Sequence, residues 1–214
     1  MSLKSERTRV RRRATRGQYD PATVYSILDA VPYCHIGFVA GGQPYVIPTA
    51  FGREADRLYI HGSAESRMLR HLSNSVPMCC TVTLFDGLVL ARSLFNHSMN
   101  YRSAVILGQA RLLEGEEKLH GLEVISDHLV PGRWADARAQ NRKEMKATSV
   151  LCLPITEASA KIRSGPPHDD DADLALPCWA GVVPLARRYG KPIGDPTLAP
   201  GIAVPPYVKR LRAK

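Results

Sequence analysis

The sequence predicts a mainly β fold, a small antiparallel barrel with a few helices around it. Three observations carry this. Six or seven short runs are rich in β-branched and aromatic residues. Gly41-Gly42 and Asp86-Gly87 lie between such runs as hairpin signals. Nothing alternates as strand, helix and parallel strand, and no GxGxxG, GxxxxGK(S/T) or HExxH motif occurs, so the usual dinucleotide, P-loop and zincin readings have no support.

The elements follow in order. Residues 1–18 form a basic arm, in which Lys4, Arg7, Arg9, Arg11, Arg12, Arg13 and Arg16 face a single Glu6. The arm has no interleaved aromatics and no nucleic-acid reading motif, so a solvated or partner-wrapping arm is expected. Asp20 caps a helix with Pro21 at its first position, and Val24, Ile27 and Leu28 form its apolar face until it ends near Ala30. Residues 33–39 form a strand. Residues 43–51 form a second, which Pro44 and Pro48 place at an edge or beside a bulge, because proline cannot donate to a ladder. Residues 57–61 form the third.

Residues 78–84 read as a buried strand, and Leu88 to Ala91 continue the sheet after the Asp86-Gly87 turn. Residues 101–113 read as a long strand with Gly108 as a bulge. Residues 116–129 form a helix turning Leu119, Leu122, Ile125 and Leu129 inward, stopped by Pro131-Gly132. A polar, helical piece over 135–145 precedes strands at 149–155 and 157–163. The barrel domain therefore runs over 19–165. Residues 166–214 form a C-terminal extension, whose apolar stretch around Trp179 is expected to pack on the barrel or on a second subunit. Asp169, Asp170 and Asp171 read as an exposed turn, and three adjacent carboxylates splay apart too far to make a strong cation site.

Composition bounds the class. A chain of 214 residues, 44% hydrophobic and 23% charged, is long enough for one sizeable core. No apolar run approaches the ~18 residues of a membrane helix, and the basic N-terminus has no apolar stretch behind it, so neither a membrane span nor a secretory signal is expected. The cysteines, Cys34, Cys79, Cys80, Cys152 and Cys178, are odd in number and form no CxxC pair. That fits reduced thiols of a cytoplasmic protein rather than disulfides or zinc.

The chemistry points to the corner at 58–72, LYIHGSAESRMLRHL. A strand end turns through small residues into a helix beginning at Ser66, with Met68, Leu69 and Leu72 on its apolar face. Such a corner leaves backbone N–H groups free, and Ser66 and Arg67 add a hydroxyl and a guanidinium fork, which together suit a phosphate monoester. An ordinary strand–helix corner has the same pattern. His61 would sit beside whatever the phosphate carries. It shares the parity of Tyr59, so both are expected on one face, at a wet site mouth. His35 reads as a core histidine and His97 as a turn histidine.

Three stretches line up: PYVIPTAF (44–51), the corner at 58–72, and SMNYRSAVILGQARLL (98–113), followed by LPCWAGVVPL (176–185). Their order and spacing resemble the pyridoxamine 5′-phosphate oxidase-like family of FMN-binding split barrels, in the branch of flavin-nucleotide-binding and nitroimidazole-resistance proteins. The resemblance runs from about Tyr19 to Leu185. It implies a six-stranded antiparallel Greek-key split β-barrel and a homodimer with FMN at the subunit interface. It places Val46, Ile47, Pro48 and Thr49 along the flavin ring. His61, Gly62, Ser66, Arg67 and Met68 fall at the ring edge and phosphate, and Arg102 and Ser103 approach the cofactor from the strand entry. The true oxidases carry basic residues where this chain has Pro44, Thr49 and Met68, and a C-terminal arginine–histidine signature that it lacks. Pyridoxamine phosphate oxidation itself is therefore not expected, and Arg102, Arg70 or the N-terminal arginines must complete the phosphate site.

The implied function is an FMN-dependent oxidoreductase, nitroreductase-like or pyridoxamine-phosphate-oxidase-like. It would pass a hydride or two electrons between a reductant such as NAD(P)H and a small planar acceptor, with His61 as the catalytic group. A non-catalytic flavin carrier or redox-sensing module is one alternative. A haem-binding split barrel is the other. No metal site, nucleic-acid partner or membrane partner is expected.

Overall fold

The computed structural model describes residues 2–211. Its strands are β1 (Gly17–Gln18), β2 (Tyr33–Ala40), β3 (Gln43–Glu54), β4 (Arg57–Ser63), β5 (Pro77–Leu90), β6 (Ser98–Gln109), β7 (Arg111–Leu112), β8 (Thr148–Pro154), β9 (Ala158–Arg163) and β10 (Gly181–Pro184). The helices are α1 (Pro21–Leu28), α2 (Arg67–Leu72), α3 (Gly115–Leu129), α4 (Arg133–Asp136), α5 (Arg142–Ala147) and α6 (Pro206–Arg210). All ladders are antiparallel, in the order β1-β9-β6-β5-β2-β3-β4-β8-β7, with β10 added beside β5. Seven strands are long, and β1, β7 and β10 are short additions to them. The sheet curls until β8 and β9 meet at the turn between them. Among the described residues no ladder joins those two strands, so the barrel is split along that line.

The alternation of apolar residues explains the curl. Ile36, Phe38, Phe51, Leu58, Ile60, Cys80, Val82, Ala104, Ile106, Leu151 and Leu153 all point into one core. Helix α1 plugs it with Val24, Ile27 and Leu28, and α2 with Met68, Leu69 and Leu72. Asp20 accepts a 2.8 Å bond from the Thr23 amide and fixes the start of α1. A second, smaller core lies outside the barrel wall. There Tyr59, Val150 and Cys152 pack against Leu113, Leu122 and Ile125, so α3 covers the outer face of β4 and β8. Gly52 permits that docking: a Cβ on it would lie 2.7 Å from the Ile125 backbone.

Several expectations need correction. Asp86-Gly87 makes no hairpin. β5 runs unbroken from Pro77 to Leu90, and the register shift against β6 falls at this point. Gly108 is not a bulge, because the β5–β6 register is regular through Met78 and Gly108. Its small size serves close approach instead, since a Cβ there would meet Leu153 Cδ1 at 2.8 Å across the split. Leu119 is 44% exposed rather than inward-facing. The basic arm is docked, not free. Leu3 is buried, its backbone bonds Tyr19 and Ala158, and Arg7 and Ser5 bind the Glu157 carboxylate. The Trp179 stretch joins the sheet as β10, but the Trp179 ring itself stays 66% exposed.

Candidate functional site

Strand β3 has two partners in succession. From Gln43 to Ala50 it pairs with β2, and only from Phe51 onward does β4 pair with its other edge. The stretch from Val46 to Thr49 thus lies on an edge left open among the described residues, as the two prolines require. Val46 and Pro48 are exposed, Ile47 packs against the core, and Thr49 Oγ1 donates to the Ala50 carbonyl at 3.3 Å. Tyr45, at the start of this stretch, stacks on Phe38 with ring centroids 5.4 Å apart. Arg67 also lies over that ring, its guanidinium carbon 4.1 Å from the centroid, and Nη1 donates to the phenol oxygen at 3.2 Å. Phe38, Tyr45 and Arg67 form a layered stack that connects β3 to the first turn of α2. The corner keeps Gly62 beneath Leu69, and Ser66 stands at the N-cap with no side-chain capping bond.

The other predicted contacts sit elsewhere. Met68 is 5% exposed and belongs to the barrel core, so its side chain is unavailable to a cofactor. Arg102 is already neutralised: Nε and Nη2 grip both Asp86 oxygens at 3.0 and 2.7 Å. That carboxylate also raises the Arg102 pKa, so the guanidinium stays charged, but its fork is occupied by Asp86 rather than free for a phosphate. Ser103 Oγ donates to the Lys161 carbonyl at 3.3 Å. β6 stands three strands from β3, about 14 Å at the usual strand spacing. Arg102 and Ser103 therefore do not join the Tyr45–Arg67 cluster within one protomer. Asp169 is bound to the Arg92 amide at 2.7 Å and to its guanidinium at 2.9 Å, a structural role for the acidic turn. His97 Nε2 bonds the Ala91 carbonyl, and His35 is half-buried, edge-on to Tyr33.

His61 departs furthest from expectation. It shares a face with Tyr59, as the parity requires, but that face is the outer barrel wall beneath α3, and Tyr59 is 2% exposed in the second core. The face is not a wet mouth. His61 opens instead onto a half-open pocket of about 420 Å³, lined by Leu119, Leu122, Ile125, Ser126, Leu129 and Trp134 and edged by residues 137–140. Two buried polar atoms here lack a hydrogen-bond partner, His61 Nδ1 and Gln140 Oε1. Burial lowers the His61 pKa below its usual 6.5, so the neutral imidazole is favoured. The cavity wall is held by an Asn141–Glu144 capping box, in which Arg138 and then the Asn141 amide pull the Glu144 carboxyl down to about 2. None of the other predicted site residues lines this cavity. Trp134, Gln140 and Tyr45 join these sites without any signal in the sequence. No local motif marks them, since each acquires its role only when distant elements meet.

Residues 20–162 match the family model for pyridoxamine 5′-phosphate oxidase. No curated protein sequence matches the chain. Among solved structures, it is similar to the flavocytochrome Anf3 from Azotobacter vinelandii, with 44% identity, 97% of each chain covered and a TM-score of 0.92. It is also similar to the FAD- and haem-binding protein from Mycobacterium smegmatis, at 39% identity over 92% of this chain and 97% of that one, with a TM-score of 0.89. A candidate 5-nitroimidazole antibiotic resistance protein from Bacteroides thetaiotaomicron matches at 28% identity over 67% of this chain and 84% of that one, with a TM-score of 0.56. The family match covers the whole barrel, from the α1 cap at Asp20 to Ile162 in β9, and the chain belongs to the pyridoxamine 5′-phosphate oxidase family of split β-barrels.

Proposed function

We propose that this chain is a redox protein that binds a flavin and a haem and moves electrons between a soluble reductant and a small acceptor. The observation that carries the reading is the apolar cavity under α3, into which a neutral, unpartnered imidazole opens. A haem needs an apolar slot and a nitrogen ligand, and His61 among Leu119, Leu122, Ile125, Leu129 and Trp134 would supply both. The likeness to two structures named for flavin and haem, over more than nine-tenths of this chain, supports it. The same likeness favours FAD over the FMN expected from the sequence.

When bound, the flavin supplies two-electron chemistry and the haem one-electron chemistry. For the flavin, the open edge from Val46 to Thr49 offers a flat wall, and Arg67, held flat by Tyr45, offers a charged fork to a phosphate. His61 would hold the haem iron, with Leu122, Ile125, Leu129 and Trp134 as the apolar wall around it. Gln140 Oε1 accepts a hydrogen bond from a group bound in the cavity. We place the protein as a homodimer with the flavin between subunits, so that Arg102 and Ser103 of one protomer approach the edge of the other. Met99, Leu88 and Val183, directly opposite one another across β6, β5 and β10, form an exposed apolar row suited to that contact. The free thiols agree with a cytoplasmic setting.

The test is the spectrum of the purified protein before and after anaerobic addition of a nicotinamide. Flavin bands, a Soret band and sequential bleaching of the first and shift of the second are expected. Chromatography of the released flavin separates FAD from FMN. His61→Ala should abolish the Soret band and keep the flavin. If His61→Ala keeps its haem and His71→Ala loses it, the axial ligand lies on α2 and the cavity is assigned wrongly.

A further inference from the structure

A second pocket lies at the far end of β9, away from the His61 cavity and from the Tyr45–Arg67 stack; its Ile162 pairs with Arg102 on β6. It measures about 450 Å³ and is lined by Arg16, Arg163, His168, Gln18 and the hydroxyl residues Thr15, Thr23 and Ser164, with Ile162 as its one apolar wall. No carboxylate lines it. The backbone forces the cations together. β1 pairs Gly17 with Lys161, so the turn preceding it sets Thr15 and Arg16 beside Arg163 and Ile162. Arg163 is 6% exposed, and all its bonds go to neutral acceptors: Asn100 Oδ1, the Gly165 carbonyl at 3.3 Å and the Pro166 carbonyl at 3.1 Å. None of the ion pairs among the described residues includes Arg16, Arg163 or His168. A buried guanidinium normally has an anionic partner, because bringing it out of water unpaired is costly. Here burial and then the neighbouring Arg16 lower the Arg163 pKa, with Tyr101 opposing them.

We propose that this cavity binds a phosphate-bearing small molecule. The guanidinium of Arg16 and the imidazole of His168 contact the phosphoryl oxygens, the Thr15, Thr23 and Ser164 hydroxyls donate to them, and Arg163 supplies the buried positive field. Arginine forks and hydroxyls are the donors that suit phosphoryl oxygens. The pocket, about 450 Å³, is a groove open to solvent at the exposed Thr15, Gln18, Ser164 and His168, so the group that carries the phosphate can extend outward from it. The inference goes beyond the flavin and haem reading and does not depend on it.

Isothermal titration of the protein as purified, with flavin and haem content measured first, tests it. Inorganic phosphate, pyrophosphate and ADP serve as probes. Saturable binding is expected, weakened about tenfold or more in Arg16→Ala and in His168→Ala. ADP and pyrophosphate binding more tightly than phosphate points to a phosphate ester or diphosphate; equal affinities point to free phosphate. Arg163 is left intact because it holds the turn at Gly165 and Pro166. Absence of saturable binding by all three probes, or binding unchanged in both variants, overturns the proposal. So does displacement of the probes by added FAD, which would make the cavity part of the flavin site. Probe binding to protein that contains neither flavin nor haem would leave this inference standing while the proposed function failed.

Discussion

Arg67 lies over the ring of Tyr45, its guanidinium carbon 4.1 Å from the centroid, and the same ring stacks on Phe38 at 5.4 Å. The stack ties the guanidinium of α2 to the open edge of β3 before any ligand arrives. Preorganisation of this kind limits the side-chain entropy lost on binding an anion.

Arg67→Ala should therefore weaken flavin-nucleotide binding about tenfold to a hundredfold and affect riboflavin, which has no phosphate, much less. Tyr45→Leu should produce part of the same loss by unmooring the guanidinium. Titration of the stripped protein with both flavins measures this. Equal losses for both would show that Arg67 does not meet the phosphate.

His61 makes stability depend on pH. Its folded pKa lies below 6.5 because burial disfavours the cation. In the window between the unfolded and folded values, the unfolded chain binds more protons, so stability rises with pH there. The cofactor-free protein should lose stability as pH falls from about 6.5 toward the folded pKa. His61→Gln should flatten that part of the profile. Urea unfolding at several pH values reads the slope, and an unchanged slope in the variant would assign it to another group.

Gly52→Ala should destabilise the protein by about 2 kcal/mol or more, because the new Cβ meets the Ile125 backbone, which cannot rotate away. If α3 is forced off β3, the His61 cavity loses its roof, so haem content should fall in the same variant. Thermal unfolding and the Soret amplitude report the two effects separately.

Leu3→Ala should cost about 2–3 kcal/mol, a core-sized loss from a residue in the arm. A merely solvated arm would give nearly none. Denaturant titration of the full chain decides between these.

The assembly itself is measurable. Sedimentation at micromolar concentration should report about twice the 23.6 kDa chain mass. Asp substitutions at Leu88 and Val183 together should shift the protein to monomer and release flavin. A wild-type monomer that retains flavin would remove the shared site.

Local chemistry was enough to determine the barrel and its corner. Alternating apolar residues in β2 and β5 specify which side chains face inward, whereas the continuous apolar runs of β4 and β8 do not, and Pro44 and Pro48 specify an edge or a bulge in β3, because proline has no N–H to donate to a second ladder. The Asp20 cap and the strand–helix corner at Arg67 were equally legible. Only the tertiary structure decided what lies against those elements. Period-2 parity put His61 and Tyr59 on one face correctly, but parity carries no information about whether water or α3 covers that face. Asp86-Gly87 reads as a turn in isolation, yet pairing with β6 and β10 keeps β5 extended through it. The pairing of Arg102 with Asp86, the docking of Leu3 and the meeting of Arg16 with Arg163 all join residues far apart in the chain. Such long-range contacts depend on how the sheet curls, and that is set by the whole core at once rather than by any one stretch of sequence.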